Sequence, residues 1–203
     1  MRFIRHPPRL LAATAAALVV MLSSAVQVAL AREVASVARH AASRYARYLA
    51  PQSACPNGAS LRASFAEQRE AMRCLVNWAR WRVGLHALRQ SAVLDRSSDL
   101  KAGAINRCRD FSHTACGRPF DWAFQQVGYL RAGRWEIGEN IAAGTGWSAS
   151  ARGALLAWLN SPEHRHNLLD PGWRDQGVAL VHSHGVLGLP SATVWVNQFG
   201  RRG

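Results

Sequence analysis

Lysine is almost missing from this chain: of 25 basic residues in 203, Lys101 is the only lysine. Acids are scarce as well, with 12 Asp and Glu, which leaves a formal charge of +13. No Gly-x-Ser-x-Gly or His-Glu-x-x-His occurs, so the usual serine-elbow and zinc-protease signatures are excluded. The positive charge comes without a zinc-finger or aromatic-rich ribonucleoprotein motif, which argues against nucleic acid as a partner. An arginine-rich exported chain instead meets anionic envelope polymers and glycans. Nothing repeats, and no low-complexity segment follows the N-terminal region.

Charge itself is absent from Leu10 to Ala31, a run that follows Arg2, Arg5 and Arg9. Leu, Ala and Val dominate its first half, and Ala29-Leu30-Ala31 fits a small-x-small cleavage site. This layout is that of a secretory signal peptide over residues 1–31. The run is also long enough for an uncleaved anchor, although Thr14, Ser23, Ser24 and Gln27 dilute it. The expectation is an exported protein, extracellular or periplasmic. About 170 residues remain, enough for one domain with its own core.

All four cysteines, Cys55, Cys74, Cys108 and Cys116, lie in that exported part. An even count in an oxidising compartment reads as disulfides, and four cysteines allow three pairings. Local closure favours Cys108 with Cys116 and, by elimination, Cys55 with Cys74. A zinc site from Cys108, His113 and Cys116 is disfavoured, because the spacing lacks a Cys-x(2–4)-Cys knuckle.

Residues 32–60 read as an N-terminal helix and linker, and 61–203 as the folded domain. Val34, Val37, Ala41, Tyr45 and Tyr48 recur at helical spacing, before a stretch with two prolines and a glycine at 50–60. A helix is expected over 61–83, with Phe65, Met72, Leu75, Val76, Ala79 and Val83 inward and Arg69, Arg73 and Arg80 outward. A second spans 95–109, capped by Asp95 or Ser97. Shorter helices are expected near 120–126 and over 150–160. A further helical turn begins at Ser161, with Ser161 as N-cap and Pro162 at the first position. "IGENIAAGTG" reads as a glycine-punctuated turn carrying Glu139. Two β-rich runs, 177–181 and 192–199, form an antiparallel hairpin. Helices first and a hairpin last, without βαβ alternation, indicate an α+β fold with helices layered on a small antiparallel sheet. Trp158 and Trp195 are candidate core residues, and Trp81 and Trp147 candidate exposed ones. His166, His182 and His184 read as solvent-facing.

Three polar residues sit at element boundaries, where side chains can enter a cleft: His113, Glu139 and His164. Two imidazoles and a carboxylate can hold Zn²⁺ or another divalent metal with water completing the shell, His113 and His164 being the candidate metal ligands. Alternatively the carboxylate orients a histidine as general base, or each group is a structural hydrogen-bonder.

"FSHTACGRPF", "GENIAAG", "AWLNSPEHRHNLLDPGWRDQGVALV" and "VWVNQFG" occur in that order, and "CLVNWARWRVGLHALR" precedes them. Together they resemble the CAP superfamily (cysteine-rich secretory proteins, antigen 5, pathogenesis-related 1) in its bacterial secreted SCP-like form. The resemblance spans about Arg69 to Gly200. It implies an α-β-α sandwich, a small antiparallel sheet flanked by helices, with a cleft lined by two histidines and two acids. His113, Glu139 and His164 match three of these. The second acid normally follows the helix tryptophan, but Leu159, Asn160 and Ser161 follow Trp158 here. With that carboxylate missing, the expected function is non-enzymatic binding of a small molecule, lipid, glycan or anionic envelope component by a monomer. The alternative is a metal-dependent hydrolase using His113, Glu139 and His164.

Overall fold

The computed structural model describes residues 44–203 apart from Ala132, together with Val26, Val28 and Ala29. Apart from those three positions, the expected signal peptide (1–31) and the leader before residue 44 lie outside the described residues. The folded unit runs from Tyr45 to Gly203.

Helix α1 (Phe65–Trp81) starts at Ser64, whose hydroxyl accepts from the Glu67 amide while the Glu67 carboxylate accepts from the Ser64 amide. This reciprocal capping box places the start four residues later than the 61 expected from periodicity. Gly84, at φ +77°, turns the chain away after the last turn. Met72, Leu75, Val76 and Ala79 are buried as expected, whereas Phe65 and Val83, at the two ends of the stripe, are exposed. Arg73 and Arg80 are buried rather than outward. Arg73 grips both oxygens of Asp95 at 3.0 Å. Arg80 donates to the carbonyls of His86, Leu168 and Asp170 at 3.1, 2.9 and 2.9 Å. Burial pulls the Arg80 pKa down to about 10, opposed by Asp170 and reinforced by Arg174, so the guanidinium stays charged at neutral pH. A buried cation is tolerable because carbonyl dipoles replace its lost water.

Helix α2 (Ala92–Cys108) is capped by Ser91, which accepts from the Leu94 amide at 3.3 Å, and not by Asp95 or Ser97. Asp95 is drawn inward instead, accepting from Arg73, from Gln90 and from the Val178 amide. Helix α3 (Trp122–Gln126), helix α4 (Ala151–Asn160) and helix α5 (Pro162–Leu168) follow. Ser161 caps α5 and Pro162 opens it, as expected.

The sheet holds β1 (Arg89–Gln90), β2 (Trp135–Gly144), β3 (Asp175–Ser183) and β4 (Ala192–Arg202) in the order β1-β3-β4-β2. The β3–β4 hairpin is antiparallel as expected; β3 is longer at both ends, and β4 starts at the expected Ala192 but runs on to Arg202. The turn expected at "IGENIAAGTG" is a correction: it is the ten-residue strand β2, paired antiparallel with β4 from Trp135↔Arg202 to Gly144↔Thr193. Its glycines mark crowding rather than turning. A Cβ at Gly138 would lie 2.6 Å from the Asn167 amide oxygen and 2.7 Å from the Trp173 ring.

Strand alternation assigns the layers. Ile141, Ala179, Val194 and Val196 pack with Ala104 and Ile105 of α2. On the opposite face, Trp195 donates to the Ala149 carbonyl, Gln176 approaches Asn77 of α1, and Trp173 stacks on Phe199. Helices α2 and α3 therefore cover one face and α1, α4 and α5 the other, an α-β-α sandwich. Trp158 and Trp195 are buried, Trp81 and Trp147 exposed.

Residues 45–60 are anchored to this unit. Tyr45, Tyr48, Ala50 and Cys55 are buried, Arg165 donates to the Tyr45 hydroxyl at 2.7 Å, and Cys55 bonds Cys74. The second bridge joins Cys108 and Cys116, so both pairings are those favoured by local closure.

Candidate functional site

Strand β2 is one of the two edge strands, and the candidate site straddles it. Glu139 points to the α2 face and Asn140 to the α5 face, as neighbours in a strand must. The Glu139 carboxylate, with none of its side chain exposed, accepts from His113 Nδ1 at 2.8 Å through Oε1. Asn140 Nδ2 donates to the His164 carbonyl at 2.9 Å, and its oxygen accepts from Asn167 at 2.9 Å. Two adjacent residues thus hold two histidines that arrive from opposite layers, and the imidazole centroids lie 6.2 Å apart.

His113 is delivered by the loop after α2. Arg109 leaves the helix in the left-handed region at φ +52°, and Cys116, at φ +62°, returns the chain to Cys108 through the disulfide. Asp110 accepts from the Cys116 amide at 3.1 Å. Phe120 approaches the His113 ring edge-on at 6.1 Å and forms a wall of the cleft. His164 lies in the first turn of α5, its amide donating to the Ser161 hydroxyl.

Beneath these groups lies a residue that the sequence pattern did not single out. Lys101, the lone lysine, is 1% exposed, donates to the His113 carbonyl and stands 3.8 Å from Glu139 Oε1. Gln198, the register partner of Glu139 on β4, donates to its other oxygen at 2.8 Å. A lysine on the inward stripe of α2, spaced with Leu94, Ser97, Ser98 and Ile105, was the available signal. Gln198 had none before the register was known.

Both Glu139 oxygens are therefore engaged, one by His113 beside a lysine charge, the other by an amide. Because the carboxylate accepts from Nδ1, that nitrogen carries the hydrogen, and in the neutral imidazole Nε2 of His113 is the acceptor. Its imidazole is 42% exposed by side chain. The pKa of His164 is lowered by burial first and by His113 second, with Glu163 partly opposing, so the His164 ring is neutral at pH 7. The missing acid is not replaced. Glu163 is exposed, and Asn160 turns back to donate to the Leu156 carbonyl at 2.8 Å. His166, His182 and His184 are all exposed.

Among the described residues no group of three His, Cys, Asp or Glu side chains is placed to hold a metal ion. The donor set fits a metal only as two imidazoles, with Glu139 orienting His113 from behind rather than ligating.

The profile of the CAP family, described as the cysteine-rich secretory protein family, matches residues 74–199. Uncharacterized protein YkwD of Bacillus subtilis is 30% identical over 128 residues, which span 62% of this chain and 44% of that protein. Three solved structures share the fold. An outer surface protein of Borrelia burgdorferi superposes with a TM-score of 0.57 at 19% identity, over 70% of this chain and 97% of that one. An extracellular SCP-domain protein of Bacillus anthracis gives 0.52 at 23%, over 70% and 45%. A cysteine-rich secretory protein of Staphylococcus aureus gives 0.54 at 13%, over 70% and 40%. With the sandwich, the ordered motifs and the family profile in agreement, the chain belongs to the CAP family of cysteine-rich secretory proteins.

Proposed function

We propose that this protein is exported and binds a ligand non-enzymatically in the cleft between His113 and His164. The ligand class is a small molecule, lipid, glycan or anionic envelope component. Export is supported by the two disulfides, which persist in oxidising compartments. It is supported too by two proteins that share the fold, one extracellular and one an outer surface protein.

The observation that carries the binding reading is the burial of Glu139. Its carboxylate, with none of the side chain exposed, is held by His113 and Gln198 beside Lys101 and stands behind the imidazole rather than facing a substrate. The cleft then offers the acceptor Nε2 of His113 and the imidazole of His164, suited to reading a donor or a polar head group. The test is imidazole NMR on the full chain during titration with envelope lipid and glycan fractions. Resonances of His113 and His164 should shift with at least one fraction, and His113→Ala should abolish the response. Silence of both rings towards every fraction would end the reading.

The hydrolase alternative is favoured by one geometric fact, the 2.8 Å His113–Glu139 pair, which is the arrangement of an oriented general base. Zinc supplied to such a site would polarise a carbonyl or lower the pKa of water. Equilibrium dialysis against zinc distinguishes the two readings: stoichiometric metal lost in both His113→Ala and His164→Ala would support the hydrolase.

A further inference from the structure

At the end of the sheet where β1 and β3 begin and β4 finishes, two cavities of about 410 Å³ each lie side by side and share Arg174 and Arg202. The first is lined also by Arg89, Ser91, Tyr129 and Asp175. The second adds Arg134, Glu136 and Arg201.

The two acidic side chains lining these cavities are both occupied. Asp175 pairs with Arg89 at 3.0 Å and Glu136 pairs with Arg201. Arg174 and Arg202 have no carboxylate partner among the described residues, yet both are held in place. One nitrogen of Arg174 lies 3.0, 3.2 and 3.1 Å from the carbonyls of Pro171, Gly172 and Trp173. The guanidinium of Arg202 lies over the Tyr129 ring at 3.9 Å. Pre-positioned guanidinium groups lose little freedom on gripping an oxyanion, and their forked donors match phosphate.

Two further features point the same way. Tyr129 is 2% exposed, and its hydroxyl makes no well-formed hydrogen bond, although buried polar groups are almost always paired. Its polar neighbour is the Arg202 guanidinium, so the buried hydroxyl helps to hold that arginine at the wall of the first cavity. Ser91 caps the seventeen-residue helix α2, so the positive end of that helix opens on the first cavity.

We propose that this end of the sheet is a phosphate-binding site, separate from the histidine cleft, for a polyanion bearing successive phosphate groups. The first cavity takes one phosphate between Arg174, Arg202 and the start of α2. The second takes its neighbour beside Arg134. The site does not depend on the reading given to His113 and His164.

The test is calorimetric titration of the full chain with sodium tripolyphosphate and with orthophosphate in low salt. It is joined by sedimentation with phosphatidylglycerol and phosphatidylcholine vesicles. Tripolyphosphate should bind more tightly than orthophosphate. Arg202→Gln should weaken it about tenfold. Tyr129→Phe, which removes only that hydroxyl and leaves the fold intact, should weaken it about threefold. Arg62→Gln removes the same charge near the opposite end of the sheet and should change the affinity less than twofold, as should His113→Ala. Sedimentation with phosphatidylglycerol that is lost in Arg202→Gln would place the phosphate on a lipid head group. Binding of tripolyphosphate alone would place it on a soluble or polymeric chain. Equal losses from Arg62→Gln and Arg202→Gln would reduce the effect to net charge and overturn the proposal. So would loss of tripolyphosphate binding in His113→Ala, or its absence in the parent.

Discussion

At the residue scale the site is organised by a single strand dipeptide. Glu139 and Asn140 face opposite layers and each secures one histidine, one through its ring and the other through its backbone carbonyl. The consequence for pH follows from His164, whose pKa is lowered by burial and by His113. Its native form is the neutral one, so the unfolded chain binds the extra proton first. Stability tied to this group is present above its ordinary value of 6.5 and is lost as pH falls below it. The melting temperature should therefore fall less between pH 7.5 and 5.5 in His164→Gln than in the parent. The imidazole titration of His164 should move upward in His113→Gln, since one of its two depressing causes is gone. An unchanged midpoint would mean that burial alone depresses it. Lys101 adds a buried charge that only the folded site accounts for, because it meets both the His113 carbonyl and the Glu139 carboxylate.

At the element scale, helix ends decide what enters the cleft. Helix α2 stops at Cys108, and the eight-residue span to Cys116 is closed by a disulfide. In the loop-entropy account a ring this small contributes about 2.5 kcal/mol, less than the total stability of a typical domain. Replacing both cysteines with alanine should leave a cooperative melt while proteolysis near Thr114 rises, as read by timed trypsin or thermolysin digestion. Global unfolding in that variant would give the bridge a wider role than holding His113. Capping explains where periodicity misplaced helix starts. Ser64 and Ser91 set the beginnings of α1 and α2, and amphipathic spacing alone runs past such signals in either direction. The strand β2 was hidden for a related reason. Its glycines and small residues resemble a turn, although Gly138 is small because Asn167 and Trp173 press against it.

At the scale of the whole molecule, the segment before α1 is part of the architecture rather than a tether. Tyr45, Tyr48 and Ala50 are buried, and Cys55 ties the segment to the middle of α1. A chain beginning at Leu61 forfeits that burial together with a bridge worth about 3 kcal/mol in the loop-entropy account. Its melting temperature should lie about 10 °C or more below that of a chain beginning at Arg44, by differential scanning calorimetry. Equal melting temperatures would show that residues 45–60 contribute nothing to stability. The arginine excess also acquires a location at this scale. Arg89, Arg174 and the adjacent pair Arg201 and Arg202 are far apart along the chain, and the pairing of β1, β3 and β4 gathers them at one end of the sheet.

The sequence by itself indicated the α+β class and the family, favoured both disulfide pairings, and singled out His113, Glu139 and His164. These are carried by local signals: periodicity, capping residues, close cysteine spacing and short ordered motifs. The tertiary structure alone decided that Arg73 and Arg80 are buried, that Glu139 lies on an edge strand, and that Lys101 and Gln198 complete its surroundings. It also decided which arginines meet. Those outcomes depend on strand register and on which helix covers which face. Both are set by contacts between residues distant in the chain, whose energies leave no periodic trace in either partner.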